Sequence, residues 1–159
     1  MMERDYGVCT ADQLAGLSGR EMLEAMIAGR LPAPAIGKTL GFLLVEVGDG
    51  TATFQGEPGP HLLNPLGSVH GGWALTLIDS ATGCALHSRL PAGVGYTTVE
   101  TKANMTRAIR AEDGPVRCEG RVVSQGRQIA TAEARLLSED GRLLAHGTST
   151  LIILPARQT

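Results

Sequence analysis

Asn64-Pro-Leu-Gly-Ser-Val-His-Gly-Gly-Trp-Ala-Leu-Thr-Leu-Ile-Asp79 is the stretch that decides how this chain is read. It sets an amide, an imidazole and paired glycines directly ahead of a long apolar run, with one carboxylate inside that run. Gly71 and Gly72 lack a Cβ, so their backbone N–H groups can lie against a ligand, and a helix N-terminus favours developing negative charge. Asp79 is the only ionised group between His70 and His87. A lone acid in so apolar a run costs free energy unless it has a partner or a task. These are the parts that attack on a carbonyl requires.

The run from Gly71 to about Arg89 predicts a helix. Trp73, Ala74, Leu75, Leu77, Ile78, Ala81, Cys84, Ala85 and Leu86 cover most of its circumference, and a helix apolar nearly all round belongs inside a fold. Pro91 and Gly93 close it. Upstream, residues 58–69 are a Pro- and Gly-rich loop. Phe42–Val47 and Thr51–Gln55, joined by Gly48-Asp-Gly50, read as a hairpin. Downstream, four strand-like runs cover about 95–107, 115–124, 127–138 and 142–153, with turn residues between them. Near the N-terminus, Ser18 and Glu21 form a capping-box pattern for a helix over about 18–28. Its Met22, Leu23, Met26 and Ile27 share a face, and Gly29 and Pro32 stop it. Residues 1–9 read as loosely packed. The order of elements predicts an α+β domain, residues 36–155, with helices on one face of an antiparallel sheet and an N-terminal helical extension, residues 1–35.

Composition narrows the partners. The chain has 159 residues, 43% of them apolar and 19% charged, an ordinary globular balance. Its net charge of −2 gives no electrostatic reason to expect nucleic acid or an anionic membrane. No apolar run approaches the ~20 residues a bilayer span needs, and the first residues lack a signal-peptide pattern. Cys9, Cys84 and Cys118 suit neither a disulfide framework nor a zinc site. Reduced thiols in a cytoplasm are the simplest reading. His61, His87 and His146 have no metal-ligand spacing, so no metal is expected.

Helix geometry constrains the site. Gly71 and Asp79 lie eight residues apart, about 12 Å along one helix axis. One carbonyl carbon cannot sit within reach of both. Either they serve different sites, or Gly71 of one chain works with Asp79 of another. Two such helices, antiparallel across a two-fold axis, give a homodimer with two equivalent composite sites. In such a site the Gly71 N–H polarises a thioester or ester carbonyl, and Asp79 acts as nucleophile or as general base on water. Asn64 orients water or binds the carbonyl oxygen, and His70 supports the loop or steadies the leaving sulfur.

The series Asn64…Gly67…His70-Gly-Gly…Leu77…Asp79 is similar to the signature of hotdog-fold acyl-CoA thioesterases. It most resembles the phenylacetate-degradation (PaaI-like) and 4-hydroxybenzoyl-CoA thioesterase subgroup. Thr97–Arg107, Val122–Arg127 and Ala145–Thr148 extend the resemblance, which covers about residues 36–154. It implies a six-stranded antiparallel sheet wrapped round the long helix, assembled as dimers and often as dimers of dimers. The substrate it implies is an aryl- or fatty-acyl-CoA, with no cofactor beyond the CoA of the substrate. By resemblance Asp79 is the catalytic carboxylate, Gly71 the polarising amide with Gly72 beside it, Asn64 the water-placing residue, and His70 the histidine beside the thioester. Thr97 falls where relatives carry an assisting Ser or Thr. Gly126 and Arg127 lie in the turn near the CoA nucleotide. Two departures stand out: Gly83 replaces a Ser or Thr found one turn after the acid in some relatives, and Arg107-Ala108 replaces Arg-Pro.

Blander readings compete at each position. Asp79 could be a buried acid satisfied by hydroxyls. Gly71-Gly72 could serve close packing, and Asn64 an Asx turn before Pro65. Thr97 reads most simply as a strand residue, Arg127 as a solvated turn residue, and Cys84 as a small core residue. The methionine face reads as core packing ahead of a lid over the acyl pocket. A hotdog dehydratase or hydratase, or a non-catalytic acyl-CoA-binding module, are the alternative functions. Fold alone does not establish catalysis.

Overall fold

A helix with hardly a polar face has to be enclosed, and the rest of the chain is arranged to do so. The computed structural model describes residues 4–156. Its elements are α1 (Ala11–Leu14), α2 (Gly19–Ile27), α3 (Ala35–Leu40), β1 (Phe42–Gly48), β2 (Thr51–Gly56), a 3-10 turn (Pro60–Leu62), α4 (Gly71–His87), β3 (Gly95–Met105), β4 (Val116–Gln125), β5 (Ile129–Ser138) and β6 (Leu143–Leu154). The strands form one sheet in the order β1-β2-β4-β5-β6-β3, antiparallel throughout. This is the hotdog arrangement: α4 packs on one face of the sheet and touches all six strands.

Along α4, Leu77, Ile78, Ala81, Ala85 and Leu86 are wholly buried. The helix sits so close to the sheet that Gly56, Gly120 and Gly147 face it without room for a side chain. A Cβ on Gly120 would lie 2.4 Å from the Ala81 carbonyl oxygen, and one on Gly147 would lie 3.0 Å from Ile78 and 2.3 Å from the Lys102 carbonyl oxygen. The sheet leaves a strip of α4 less covered. Gly72 is exposed and Leu75, Thr76, Asp79 and Ser80 are only half-buried.

The predicted strands and both predicted helices are present with small shifts at their ends. The Ser18–Glu21 capping box forms: the Ser18 side chain accepts from the Glu21 N–H and the Glu21 carboxylate accepts from the Ser18 N–H. Helix α2 buries Leu23 and Ala25, lays Met26 and Ile27 on the core, and sets Met22 Sδ 3.3 Å from His87 Nε2. Two short helices, α1 and α3, are absent from the sequence reading. Each spans six residues or fewer, too short for a periodic pattern to show. One correction concerns the N-terminus. Residues 5–7 are tied to Ala33 by backbone hydrogen bonds, and Arg4 donates to the carbonyls of Met26 and Ile27. Loose packing is therefore not what residues 4–7 show. Residues 1–3 lie outside the described residues.

The close helix–sheet approach has a measurable consequence. Gly120→Ala forces a backbone shift and is expected to cost about 1–3 kcal/mol in a denaturant titration. Gly95→Ala, where a Cβ meets nothing within 4 Å, is expected to stay within ~0.5 kcal/mol of the parent.

Candidate active site

The site begins with the loop that delivers the chain to α4. Asn64 organises it. Its Oδ1 accepts from the N–H groups of Leu66 (2.9 Å) and Ser68 (3.3 Å), and its Nδ2 donates to Ser68 Oγ at 2.9 Å. Backbone bonds from Gly67 N to Asn64 O and from Asn64 N to Ser68 O close the turn. The Asx-turn role is thus present, and it uses only one of the two amide hydrogens. The strand-like pairing of Leu63 with Val69, and the bond from His70 N to Leu62 O, then fix the start of α4.

His70 is the N-cap of α4. Its Nδ1 accepts from the Gly72 N–H at 2.9 Å and its carbonyl oxygen accepts from the Trp73 N–H. An imidazole whose Nδ1 accepts carries its proton on Nε2, which leaves an outward donor. Gly72 is a glycine for this reason: a Cβ there would stand 2.9 Å from His70 Nδ1. The Gly72 N–H is therefore engaged inside the loop. The Gly71 N–H is not. Among the described residues it has no acceptor, although it opens a 17-residue helix. Asn64, His70 and Gly71 line one cleft of about 300 Å³, opposite Met105 and Ala108. Arg107 forms a wall shared with a wider hollow of about 930 Å³ that also holds Arg110 and Arg142. Arg142 pairs with Asp140, whereas Arg107 and Arg110 make no ion pair among the described residues.

Asp79 is not in that cleft. It lies two turns further on, at the edge of the less-covered strip, with Thr101 Oγ1 donating to its Oδ1 at 3.0 Å. Behind Thr101 the hydroxyls continue. Thr101 Oγ1 and Ser149 Oγ are 3.0 Å apart, Ser149 Oγ and Thr82 Oγ1 are 2.7 Å apart, and Thr82 Oγ1 reaches the Ile78 carbonyl at 2.9 Å. Ser149 and Thr82 are fully buried.

Thr97 does not join this group. It pairs with Ile152 on the outer face of the sheet and is exposed. A bulge between Thr98 and Glu100 shifts the alternation by one, so that Thr98 and Thr101 are both inward, opposite Leu151 and Ser149. It is therefore Thr101 that meets the acid. Gly126 and Arg127 sit in the exposed β4–β5 turn. Gly56 and its partner Val116 lie beside Trp73 at the start of α4, and Gly120 lies beside Ala81. Strand β4 thus runs along α4, and its final turn falls at the end of the helix away from Gly71.

Thr101, Ser149, Thr82 and Tyr96 are neighbours that the sequence reading misses. Tyr96 explains Gly83. A Cβ at residue 83 would lie 2.5 Å from the Tyr96 hydroxyl, so that hydroxyl occupies the space beside the helix one turn after Asp79. Burial first, then Cys84 and Asp79, push the Tyr96 phenol up. Burial and the Asp79 charge push the Cys84 thiol up to about 12, so it stays protonated and inert. Burial lowers the pKa of His87. No group of three or more His, Cys, Asp or Glu that could hold a metal is found among the described residues, and no helix there is long and apolar enough to cross a membrane.

Comparisons with known proteins point to one family. The family model described as Thioesterase superfamily matches residues 66–145. Among solved structures, a conserved protein of Pseudomonas aeruginosa is 36% identical, with TM-score 0.70 over 76% of this chain and 94% of that one. A phenylacetic acid degradation-related protein of Ralstonia eutropha is 28% identical, with TM-score 0.74 over 82% and 98%. A mutant of the phenylacetic acid degradation protein PaaI of Thermus thermophilus is 28% identical, with TM-score 0.66 over 74% and 96%. No curated protein matches the chain.

The capping geometry makes its own prediction. His70→Ala leaves the Gly72 N–H without its acceptor, and loss of such a cap costs about 1 kcal/mol. His70→Asn, which restores a capping side chain, is expected to recover most of that loss in a thermal melt.

Proposed function

The chain belongs to the thioesterase superfamily and is a thioester hydrolase, and from that premise we propose that it cleaves an aryl- or fatty-acyl-CoA to the free acid and CoA. The observation that carries this reading is the unclaimed Gly71 N–H. The first turn of α4 satisfies the amides of Gly72 and Trp73 through His70 and leaves the Gly71 amide aimed at a cleft. A thioester oxygen placed there gains a donor as its negative charge grows, aided by the helix dipole. The second amide hydrogen of Asn64 places water or the same oxygen, and His70 Nε2–H faces the leaving sulfur.

The carboxylate comes from a second subunit. The half-covered strip of α4, with Asp79 on it, suits an antiparallel copy of the same helix, which would set each Gly71 near the other chain's Asp79. The same pairing brings the β4–β5 turn, with Gly126 and Arg127, toward the other subunit's cleft. Asp79 acts as nucleophile or as general base on water, and the thiolate leaves with little need of an acid. Arg107, which lines the cleft and makes no ion pair among the described residues, offers positive charge to a polyanionic CoA. Three unpaired cysteines fit a reducing cytoplasm, and dimers of such dimers fit the same architecture.

A steady-state panel of aryl- and fatty-acyl-CoAs tests this reading. At least one member is expected to turn over, with Asp79→Asn and Asp79→Ala lowering kcat/KM by ~10²-fold or more. No turnover of any member would remove the acyl-CoA reading, and equal rates in all three proteins would remove Asp79 from it.

A further inference from the structure

The hydroxyls behind Asp79 form a chain in which every proton can be assigned. Thr101, Ser149 and Thr82 bring one proton each, and the contacts run from Asp79 Oδ1 through Thr101 and Ser149 to Thr82 and the Ile78 carbonyl. When Asp79 is a carboxylate it accepts only. Thr82 then donates to Ser149, Ser149 to Thr101, and Thr101 to Oδ1, so all three dipoles point at the charge. When Oδ1 carries a proton, the order reverses. Asp79 donates to Thr101, Thr101 to Ser149, Ser149 to Thr82, and Thr82 to the Ile78 carbonyl oxygen 2.9 Å away. Each hydroxyl donates once and accepts once in the protonated state, and no donor is stranded in either state. The Ile78 carbonyl, with the Asp79 carbonyl also 3.0 Å from Thr82 Oγ1, makes the reversal complete, because these oxygens take the last proton of the chain at no cost to Ser149.

We propose that this reversible hydroxyl chain is a positioning device that lets Asp79 take a proton from water and hold it, with Ser149 as the residue that makes the reversal possible. The proposal rests on Asp79 being the acid of the hydrolase described above, and it assigns Asp79 the general-base role. The proton and electron count closes. Water gives one proton to Oδ1 and its oxygen forms the new bond to the carbonyl carbon. The C–S bond breaks, the sulfur keeps the electron pair, and the proton returns from Oδ1 to the thiolate, giving acid and thiol.

Ser149 is placed for this and little else. It is buried on β6, opposite Thr101 across the β3–β6 ladder, and joins the strand hydroxyl to the helix hydroxyl. The bulge in β3 brings Thr101 into line with it. Within its own chain the titratable neighbours of Asp79 do not compete; the titratable group that the proposed pairing brings to the site is the His70 imidazole of the other subunit, which Ser149→Ala leaves untouched. On α4, Cys84 is held at about 12, and on β3 the Tyr96 phenol is pushed up. His87, about 12 Å further along the helix, is turned to Met22 of α2. From β6 it is the Ser149 hydroxyl that faces the pair, and the charged residues next to Thr101 on β3, Glu100 and Lys102, are exposed.

The test is a pH profile of kcat/KM for wild type, Ser149→Ala, Thr101→Val, Thr101→Ser and Asp79→Asn, on whichever acyl-CoA of the panel is best turned over. Ser149→Ala removes one oxygen from a buried site and keeps the fold, which a thermal melt verifies. It leaves Thr101 able to donate to the carboxylate, but strands the Thr101 proton once Oδ1 is protonated. The protonated state loses more, so the acidic limb of the profile moves to lower pH by about one unit, and kcat falls while KM holds. Thr101→Val loses kcat more severely, and Thr101→Ser, which keeps the hydroxyl, restores it. An unmoved acidic limb in Ser149→Ala, with Asp79→Asn inactive, overturns the hydroxyl chain and leaves the hydrolase reading standing. Full activity in Asp79→Asn overturns Asp79 as the working acid, and the hydroxyl chain with it.

Discussion

A straight helix cannot fold two of its own residues, eight positions apart, onto one carbonyl group. That constraint governs everything else in this protein. The sheet wraps α4 so tightly that glycines are needed at residues 120 and 147 to admit it, so the helix is a fixed rod. Its first amide and its single acid are held about 12 Å apart. A fold that buries the rod on one side and leaves Asp79 on a half-covered strip keeps the two groups apart, and the site proposed above joins them across two subunits.

The two ends of this arrangement are prepared in different ways. At the helix start the work is done by removing competition. His70 takes the Gly72 amide with its ring and the Trp73 amide with its carbonyl, and Asn64 ties the loop beneath them, which leaves one N–H for a ligand. At Asp79 the work is done by adding partners. The carboxylate is anchored to β3, and through buried Ser149 to the interior of its own helix. One end is a donor without an acceptor, and the other is an acceptor with its donors lined up. A thioester needs both, since its oxygen gains charge while its carbon is attacked.

Much of this was legible in the sequence because it is local. The apolar circumference of residues 73–86 announced a buried helix, the His-Gly-Gly start announced its cap, and turn residues marked each strand. What stayed hidden depends on register between distant strands. Thr97 and Thr101 look alike in sequence. Only the bulge at Thr98–Glu100 decides that Thr101 faces Asp79 and Thr97 faces outward, and no residue there signals a bulge. Ser149 lies 70 positions from Asp79 and reaches it through pairing alone. Gly83 read as a missing hydroxyl, whereas the structure shows that a hydroxyl from Tyr96 stands over it. The short helices α1 and α3 and the tether of residues 5–7 to Ala33 carry too few residues to leave a pattern.

Subunit complementation tests the shared site most directly. Gly71→Pro removes the single N–H in question. Proline is favoured at the first position of a helix, and His70 before it already has the extended backbone that proline requires. Paired with Asp79→Asn in one mixed dimer, it leaves one site with both lesions and one site with neither. Each variant alone should be nearly inactive, and a randomly mixed equal population should regain roughly a quarter of wild-type turnover, since half the dimers then carry one intact site. Mixed dimers no more active than either parent would contradict the account, because they would place the amide and the acid of each working site in the same chain.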